Sequence, residues 1–208
     1  MRSRLLPGGT DGRCAVASGL RERKKARTRA LIQATALRLF REHGYEATTV
    51  EQIAREAEVA HTTVFRYFPA KEDLVVSDDY DPVLFEALRA RPADVPPVRA
   101  LREAMRATLG AIPREDLAAA RDRAVLVLDV PALRGTSFGN VLATMRTLGD
   151  VLAERTGRTP DDLAVRTLTG AVFGVFLELM VRWVEEPSMD LPDAVDEALA
   201  ALESGFGL

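Results

Sequence analysis

The sequence has a single cysteine, Cys14, few aromatic residues, and no long run in which β-branched and polar residues alternate. One cysteine excludes an intramolecular disulfide framework and favours a reducing compartment. With aromatic residues at 6%, the core must be built mainly from Leu, Val and Ala, which favours helices over strands. We therefore expect an all-α protein.

Long uncharged runs are also missing. The first twenty residues lack the apolar stretch of a secretory signal. The most apolar segment, residues 164–184, is interrupted by Arg166, Glu178 and Arg182, which argues against a membrane span. We interpret this segment as a buried helix, and we expect the protein to be cytoplasmic.

Signatures of catalysis and of cofactor binding are scarce. The sequence has no Walker motif, no Cys/His metal spacing and no dinucleotide fingerprint, so we expect no cofactor and no metal. The letters GTSFG at residues 135–139 match the nucleophile elbow of hydrolases, but that elbow needs a preceding strand. Both histidines, His43 and His61, lie upstream of it, whereas the usual hydrolase order needs one downstream. A hydrolase is the least favoured alternative, and residues 135–137 are interpreted as a loop with a helix cap.

Basic residues are concentrated in the N-terminal third of the chain. Residues 21–75 carry eleven Lys and Arg against eight Asp and Glu, whereas residues 76–208 carry fourteen against twenty-two. This asymmetry favours a local surface for a polyanion, although a solvated helix end explains the charge equally well. A helical adaptor that binds only protein is a further alternative, and an enzyme is not expected.

Helical periodicity divides the chain into an arm and two domains. Residues 1–20 contain Pro-Gly-Gly and no periodicity, and are predicted to be a flexible arm. Residues 21–75 contain a long helix, two short helices and the start of a fourth helix at AKED. Breaks in residues 76–208 predict that the fourth helix continues over about 82–90 and that further helices lie at 97–111, 115–128, 136–156, 160–185 and 191–205.

Two short helices around a tight turn are the arrangement of a helix-turn-helix motif. Thr49 can cap the first of them in a capping box with Gln52, and Thr48 with Glu51 offers a competing box. The second short helix is predicted from His61 to Tyr67.

The segment LFREHGYEATTVEQIAREAEVAHTTVFRYFPAKEDLV strongly resembles the N-terminal domain of TetR-family transcriptional regulators, and its FRYF form resembles that of actinobacterial members. The likeness covers residues 25–75, about a quarter of the chain. In the turn, Glu58 stands where the family usually has glycine, and Ala60, where serine is usual, cannot cap a helix. The positions in register are Phe40, Gly44, Tyr45, Thr49, Val50, Ile53, Ala54, Val59, Thr63, Tyr67, Phe68, Lys71 and Leu74.

This resemblance implies that the second short helix enters DNA, where hydroxyls and cations contact base edges and phosphates. Four alternatives remain open: Thr49 as a cap only, His61 as an ordinary exposed residue, Phe65 as core, and Lys71 as a solvated lysine at a helix start. The residues predicted to contact double-stranded DNA are Thr49, His61, Thr62, Thr63, Phe65, Arg66, Tyr67 and Lys71.

For residues 76–208 the resemblance implies a helical domain for effector binding and dimerisation, and hence a homodimeric, ligand-responsive repressor on a palindromic operator. A small, largely apolar effector is expected among the middle helices, although most of these residues also fit a solid core. The candidate pocket residues are Phe85, Leu88, Met105, Leu109, Val125, Leu128, Met145, Leu148, Phe173 and Leu177. The candidate dimer residues, for which an intrachain core is the alternative, are Gly170, Gly174, Trp183, Val195, Leu199 and Leu202.

Overall fold

A computed structural model describes residues 11–76 and 80–205, which form helices and connecting turns with no strand in those two ranges. The prediction of an all-α protein is confirmed. The chain divides into two compact units between Leu74 and Val75.

The first unit packs one long helix against two short ones. Its buried interior includes Ile32 and Phe40 from the long helix together with Ile53, Val64 and Phe68, each at most 2% exposed. Gly44, at φ 86°, ends the long helix in a left-handed conformation that glycine adopts without strain. The helices are α1 (Asp11–His43), α2 (Val50–Glu56), α3 (His61–Tyr67) and α4 (Asp73–Val76), whose last residues belong to the second unit.

Helix α1 begins at Asp11, ten residues before the predicted end of a flexible arm. The arm prediction is therefore wrong for residues 11–20, and residues 1–10 lie outside the described part of the chain. Pro7 is the last proline before α1, so no proline interrupts residues 11–43 and nothing blocks upstream growth of the helix.

Glu58 and Ala60, the two residues that differ from the pattern the sequence resembles, both lie in the turn between α2 and α3. Glu58 adopts φ 53°, the left-handed region in which a side chain costs free energy. Ala60 precedes α3 and provides no side-chain hydrogen bond to the helix start.

The fourth helix begins later in the sequence than predicted. Residues 70–72 form a turn, in which the Asp73 carboxylate accepts a hydrogen bond of 2.8 Å from the Ala70 backbone N–H. Helix α4 begins only at Asp73, so Lys71 does not lie in the first turn of a helix.

The second unit contains six complete helices in the described ranges, and one of them starts well before its predicted first residue. Helix α8 begins at Pro131 instead of residue 136, because proline is tolerated in the first turn. The segment 135–139 therefore lies inside a helix, so the predicted loop is wrong and the elbow of a hydrolase, with its preceding strand, is not formed. The helices are α5 (Tyr80–Arg89), α6 (Pro97–Gly110), α7 (Arg114–Asp129), α8 (Pro131–Thr156), α9 (Leu163–Glu185) and α10 (Leu191–Ser204).

Helices α6 and α10 are joined by ion pairs as well as by apolar contacts. The Arg102 guanidinium donates two hydrogen bonds of 2.7 Å to the Asp196 carboxylate, a bidentate pair. Arg99 pairs with Glu203 at 2.7 Å one turn away. These contacts fix α10 as part of the core of the second unit.

Helix α9 is not the buried helix that its composition suggested. It is long and apolar enough to cross a membrane by length and composition alone, yet only 22% of its apolar window is buried. Leu163 is 80% exposed and Leu177 is 63% exposed. The chain by itself leaves a large apolar face of α9 uncovered.

We predict that Glu58→Gly raises the free energy of unfolding by about 0.5–1 kcal/mol. Glycine removes the strain of the left-handed conformation, and the greater conformational entropy that glycine loses on folding offsets part of this gain. Urea unfolding followed by circular dichroism measures this change. Glu56→Gly is the matched control, since it removes the same side chain from a helical residue and should destabilise. Equal destabilisation by both variants would show that the turn is not strained.

Candidate nucleic-acid interface

Helix α3 has one buried side and one exposed side. Val64 and the residue after the helix, Phe68, are each 1% exposed and anchor it in the core of the first unit. The four exposed residues, here called the outer face of α3, are His61, Thr62, Phe65 and Arg66.

Phe65 belongs to the outer face and not to the core. Its side chain is 40% exposed, and the His61 ring meets its ring edge-on at 4.7 Å. A large apolar ring that is exposed to solvent favours a role in binding, since such side chains are normally buried. Beside a histidine and an arginine, this ring is suited to contact sugar or a thymine methyl group.

A carboxylate that the sequence did not single out as a contact lies next to this face. The Glu51 carboxylate is 3.1 Å from His61 Nε2. The backbone N–H of Glu51 and the Thr49 hydroxyl hold the pKa of this carboxyl below its usual range, and His61 lowers it further. Glu51 therefore stays ionised at neutral pH and orients His61.

Thr49 caps α2 through the predicted box. Its hydroxyl accepts a hydrogen bond of 3.2 Å from the Gln52 N–H, and the Gln52 side-chain oxygen accepts one of 2.7 Å from the Thr49 N–H. The competing box is wrong, because Thr48 is buried and donates to the Gly44 carbonyl at 2.8 Å. Thr49 is exposed, so a phosphate contact in addition to the cap stays a prediction.

Thr63 and Tyr67 lie at the edge of the outer face and are half-buried. The Tyr67 ring lies 5.3 Å from the Arg66 guanidinium. At the same end of α3, Arg29 of α1 donates to the Tyr67 carbonyl at 3.5 Å and sits 4.7 Å above the Phe68 ring. Arg29 therefore holds α1 to the C-terminal end of α3. The sequence alone did not indicate this role.

Lys71 has an internal partner. Its ammonium donates a hydrogen bond of 2.6 Å to the Tyr45 carbonyl and lies 4.2 Å from the Tyr45 ring. The predicted position at a helix start is wrong, and a phosphate contact stays a prediction in which DNA would compete with this carbonyl. Burial of Tyr45, with Glu72 nearby, raises the pKa of its phenol, which stays neutral.

The residues proposed for an effector pocket differ widely in burial. Leu88 and Leu148 are fully buried core residues, and Leu177 is exposed, so that it does not line the interior. The others are buried or half-buried side chains from five helices: Phe85, Met105, Leu109, Val125, Leu128, Met145 and Phe173. The two open grooves described in the second unit, one along α6 and one along α9, are lined by other residues.

Half of the proposed dimer residues lie inside the chain. Trp183, Val195 and Leu199 are at most 6% exposed and belong to the core of the second unit, so they are wrong as surface contacts. Gly170 and Gly174 are exposed on α9, and Leu202 is half-buried beside the groove along α9.

Comparison with known proteins identifies both units. The family model described as bacterial regulatory proteins, tetR family, matches residues 32–77, and the model described as the MftR C-terminal domain matches residues 95–207. The second match covers more than half of the chain. The chain belongs to the TetR family. It is a DNA-binding transcriptional regulator with a helix-turn-helix motif.

Named relatives cover the chain to different extents. The transcriptional repressor KstR of Rhodococcus jostii is 32% identical over 79% of this chain and 76% of its own. The putative mycofactocin biosynthesis regulator MftR of Mycobacterium tuberculosis is 27% identical over 88% and 93%. The regulator TcmR of Streptomyces glaucescens is 45% identical, but the match spans only 45% of this chain and 42% of TcmR.

Solved structures support the fold. The regulator FadR from Bacillus subtilis, solved in complex with stearoyl-CoA, superposes with a TM-score of 0.59 at 23% identity and covers 85% of this chain and 98% of its own. At that identity the likeness establishes a shared fold. Within residues 11–76 and 80–205, no group of three or more His, Cys, Asp and Glu residues is placed to hold a metal ion.

Proposed function

We propose that this TetR-family protein is a ligand-responsive repressor, cytoplasmic as is usual for the family, that binds a palindromic operator as a homodimer. The observation that carries the DNA-binding part is the outer face of α3. A seven-residue helix is anchored by two fully buried residues and leaves a histidine, a threonine, a phenylalanine and an arginine exposed. A short helix that is held rigidly and has a polar outer side fits the major groove.

The outer face offers different chemistry to bases and to phosphates. Thr62, at the start of α3, can give its hydroxyl to a base and its methyl to thymine, and Arg66 can bind guanine in bidentate fashion. Glu51 keeps negative charge beside His61, which disfavours close approach of a phosphate at that point. The arrangement therefore favours base contacts from α3 and phosphate contacts from its edges.

We predict that Thr62→Ala and Arg66→Ala each weaken binding by about 1–3 kcal/mol and broaden base preference at one position of each half-site. Selection from a randomised duplex pool, followed by mobility shifts at fixed salt, measures both. Arg146→Ala removes an equal charge from exposed surface of the second unit and should change neither. If the pool yields no symmetric site, or the two variants keep wild-type preference, the proposed role of α3 is wrong.

The case for a homodimer rests on an uncharged stripe along the exposed side of α9. Its members recur at steps of four and three residues, the spacing that keeps side chains on one helix face. Two glycines at its centre have open space where a Cβ would be, so another helix can approach closely. The stripe consists of the exposed residues Leu163, Thr167, Gly170, Gly174 and Leu177 and ends at the half-buried Val181.

A groove beside this stripe extends the same surface. It has a volume of about 690 Å³ and is lined by Leu163, Thr167 and Leu168 of α9 together with Leu202 of α10. A second copy related by a two-fold axis would place its own α9 and α10 against this surface, forming four helices. Two α3 helices at a fixed separation would then read the two halves of a palindrome.

We predict that Gly170→Glu converts the dimer to a folded monomer, because it places a charge at the centre of the stripe without a clash inside the chain. Sedimentation velocity at micromolar concentration gives the mass, and circular dichroism confirms folding. Gly139→Glu is the matched control, since Gly139 is also an exposed helical glycine with open space, on α8. A wild-type monomer, or a Gly170→Glu dimer, would refute the interface.

The case for an effector rests on loose packing among α7, α8 and α9. None of the residues 114–129 of α7 is fully buried, although a continuous run of half-buried residues extends along it from Ala119 to Leu128. Arg121 holds its middle in place by donating to the Trp183 and Val184 carbonyls at 2.9 and 2.8 Å. A helix that is held by a few hydrogen bonds and has few fully buried apolar side chains can shift to make room for a ligand.

Exposed apolar side chains gather in the same region. Phe138 is 62% exposed on α8, and Leu142 follows it by one turn at 36%. Gly149 of α8 faces Thr169 of α9. Because the two helices run antiparallel, Leu142, seven residues before Gly149, lies at the level of Phe176, seven residues after Thr169. A small, largely apolar effector, such as an acyl thioester, would bury these side chains.

We predict that an effector and the operator weaken each other's binding by the same factor, typically about 5–150-fold, as thermodynamic linkage requires. Thermal shifts against a panel of acyl thioesters, apolar acids and aromatic drugs identify a ligand, and titration with and without operator measures the coupling. Phe138→Asp should abolish the thermal shift while leaving operator binding intact. Equal affinity with and without operator would show that the molecule is not an inducer.

A further inference from the structure

Helix α1 extends past the helix-turn-helix motif as a strongly basic segment. Residues 21–27 read RERKKAR, with five cations and one carboxylate. They lie upstream of residue 32, where the match to the family's DNA-binding model begins. Arg21, Arg23, Lys24, Lys25 and Arg27 are all exposed.

The side of α1 that packs on the motif changes from apolar to basic along its length. Ile32, Ala36 and Phe40 follow one another at steps of four residues and are buried, and α1 packs on α2. The same side continues upstream at similar steps as Arg29, Lys25 and Arg21. Arg21 and Lys25 therefore point towards the side of α1 on which α3 lies.

A contact at Arg29 fixes where this basic side lies. Arg29 binds the carbonyl of Tyr67 and covers the Phe68 ring, so α1 passes the C-terminal end of α3 at that residue. With a rise of 1.5 Å per residue, Lys25 lies about 6 Å and Arg21 about 12 Å further along the axis of α1. Both cations thus project beyond the end of α3.

The major groove of B-DNA is about 12 Å wide, so rows of phosphates border any helix that enters it. We propose that Arg21 and Lys25 bind phosphates at the outer edge of each half-site, beyond the bases that α3 reads. This inference rests on the proposed DNA binding by α3. It adds a contact surface that increases affinity and salt dependence without changing the sequence that is read.

The double variant Arg21→Gln/Lys25→Gln, here called the face variant, tests this against the matched control Arg23→Gln/Arg27→Gln, which removes the same charge from the other side of α1. Affinity for the selected operator duplex is measured as a function of salt. The face variant should reduce the slope of log K against log salt by about 3.6, or about 0.9 for each of the four phosphates, two at each half-site, that the dimer no longer neutralises, and the control by far less. Base preference from the randomised pool should stay unchanged.

A second measurement uses the wild-type protein. Trimming the base pairs that flank the selected site should lower the wild-type salt slope to that of the face variant and leave the slope of the face variant unchanged. Equal slopes for the face variant and wild type on the full duplex would overturn the phosphate contacts, as would equal reductions of the slope in the face variant and its control. If wild-type protein selects no symmetric duplex, the proposed function fails together with this inference.

Discussion

The recognition surface depends on the burial of one apolar side of α1 against two helices too short to be stable alone. Isolated seven-residue helices are unfavourable in water, because nucleation fixes several residues before hydrogen bonds repay the cost. The missing stabilisation comes from a shared buried interior, to which α1 contributes Phe40 and Ile32 and the two short helices and the residue after α3 contribute Ile53, Val64 and Phe68. Every outward side chain of α3 is therefore positioned by contacts made on its inner side.

Two cations tighten this arrangement from opposite ends. Arg29 ties α1 to the end of α3, and Lys71 ties the turn after α3 to the carbonyl of Tyr45 at the end of α1. Both combine a hydrogen bond with an aromatic ring, which makes their position more specific than a surface ion pair would. Basic residues near a DNA surface thus have a structural role as well as attraction for phosphate.

Local signals predicted most of the first unit correctly. The capping box of Thr49 and Gln52 and the bounds of α3 each follow from a few neighbouring residues. Lys71 could not be predicted in the same way, because its partner Tyr45 is twenty-six residues distant along the chain. The helical GTSFG segment was missed because Pro131 at a helix start looks like a break when the sequence alone is read.

Apolar periodicity also does not say which molecule covers a helix face. In α9 the sequence is equally apolar at Trp183 and at Leu177, yet Trp183 is buried in its own chain and Leu177 is exposed. Only the fold separates the face of α9 that is used from the one that remains for a second copy. The same limit applied to the candidate pocket, whose residues were correctly apolar but were distributed between core and surface.

Backbone chemical-shift mapping tests most directly whether the outer face of α3 reads DNA. Isotope-labelled protein would be titrated with the selected operator duplex and, separately, with a scrambled duplex of equal length and charge. The operator should shift the amides of His61, Thr62, Phe65 and Arg66 more strongly than the scrambled duplex does. Equal shifts with both duplexes, or operator-specific shifts confined to other helices, would contradict the role given to this face.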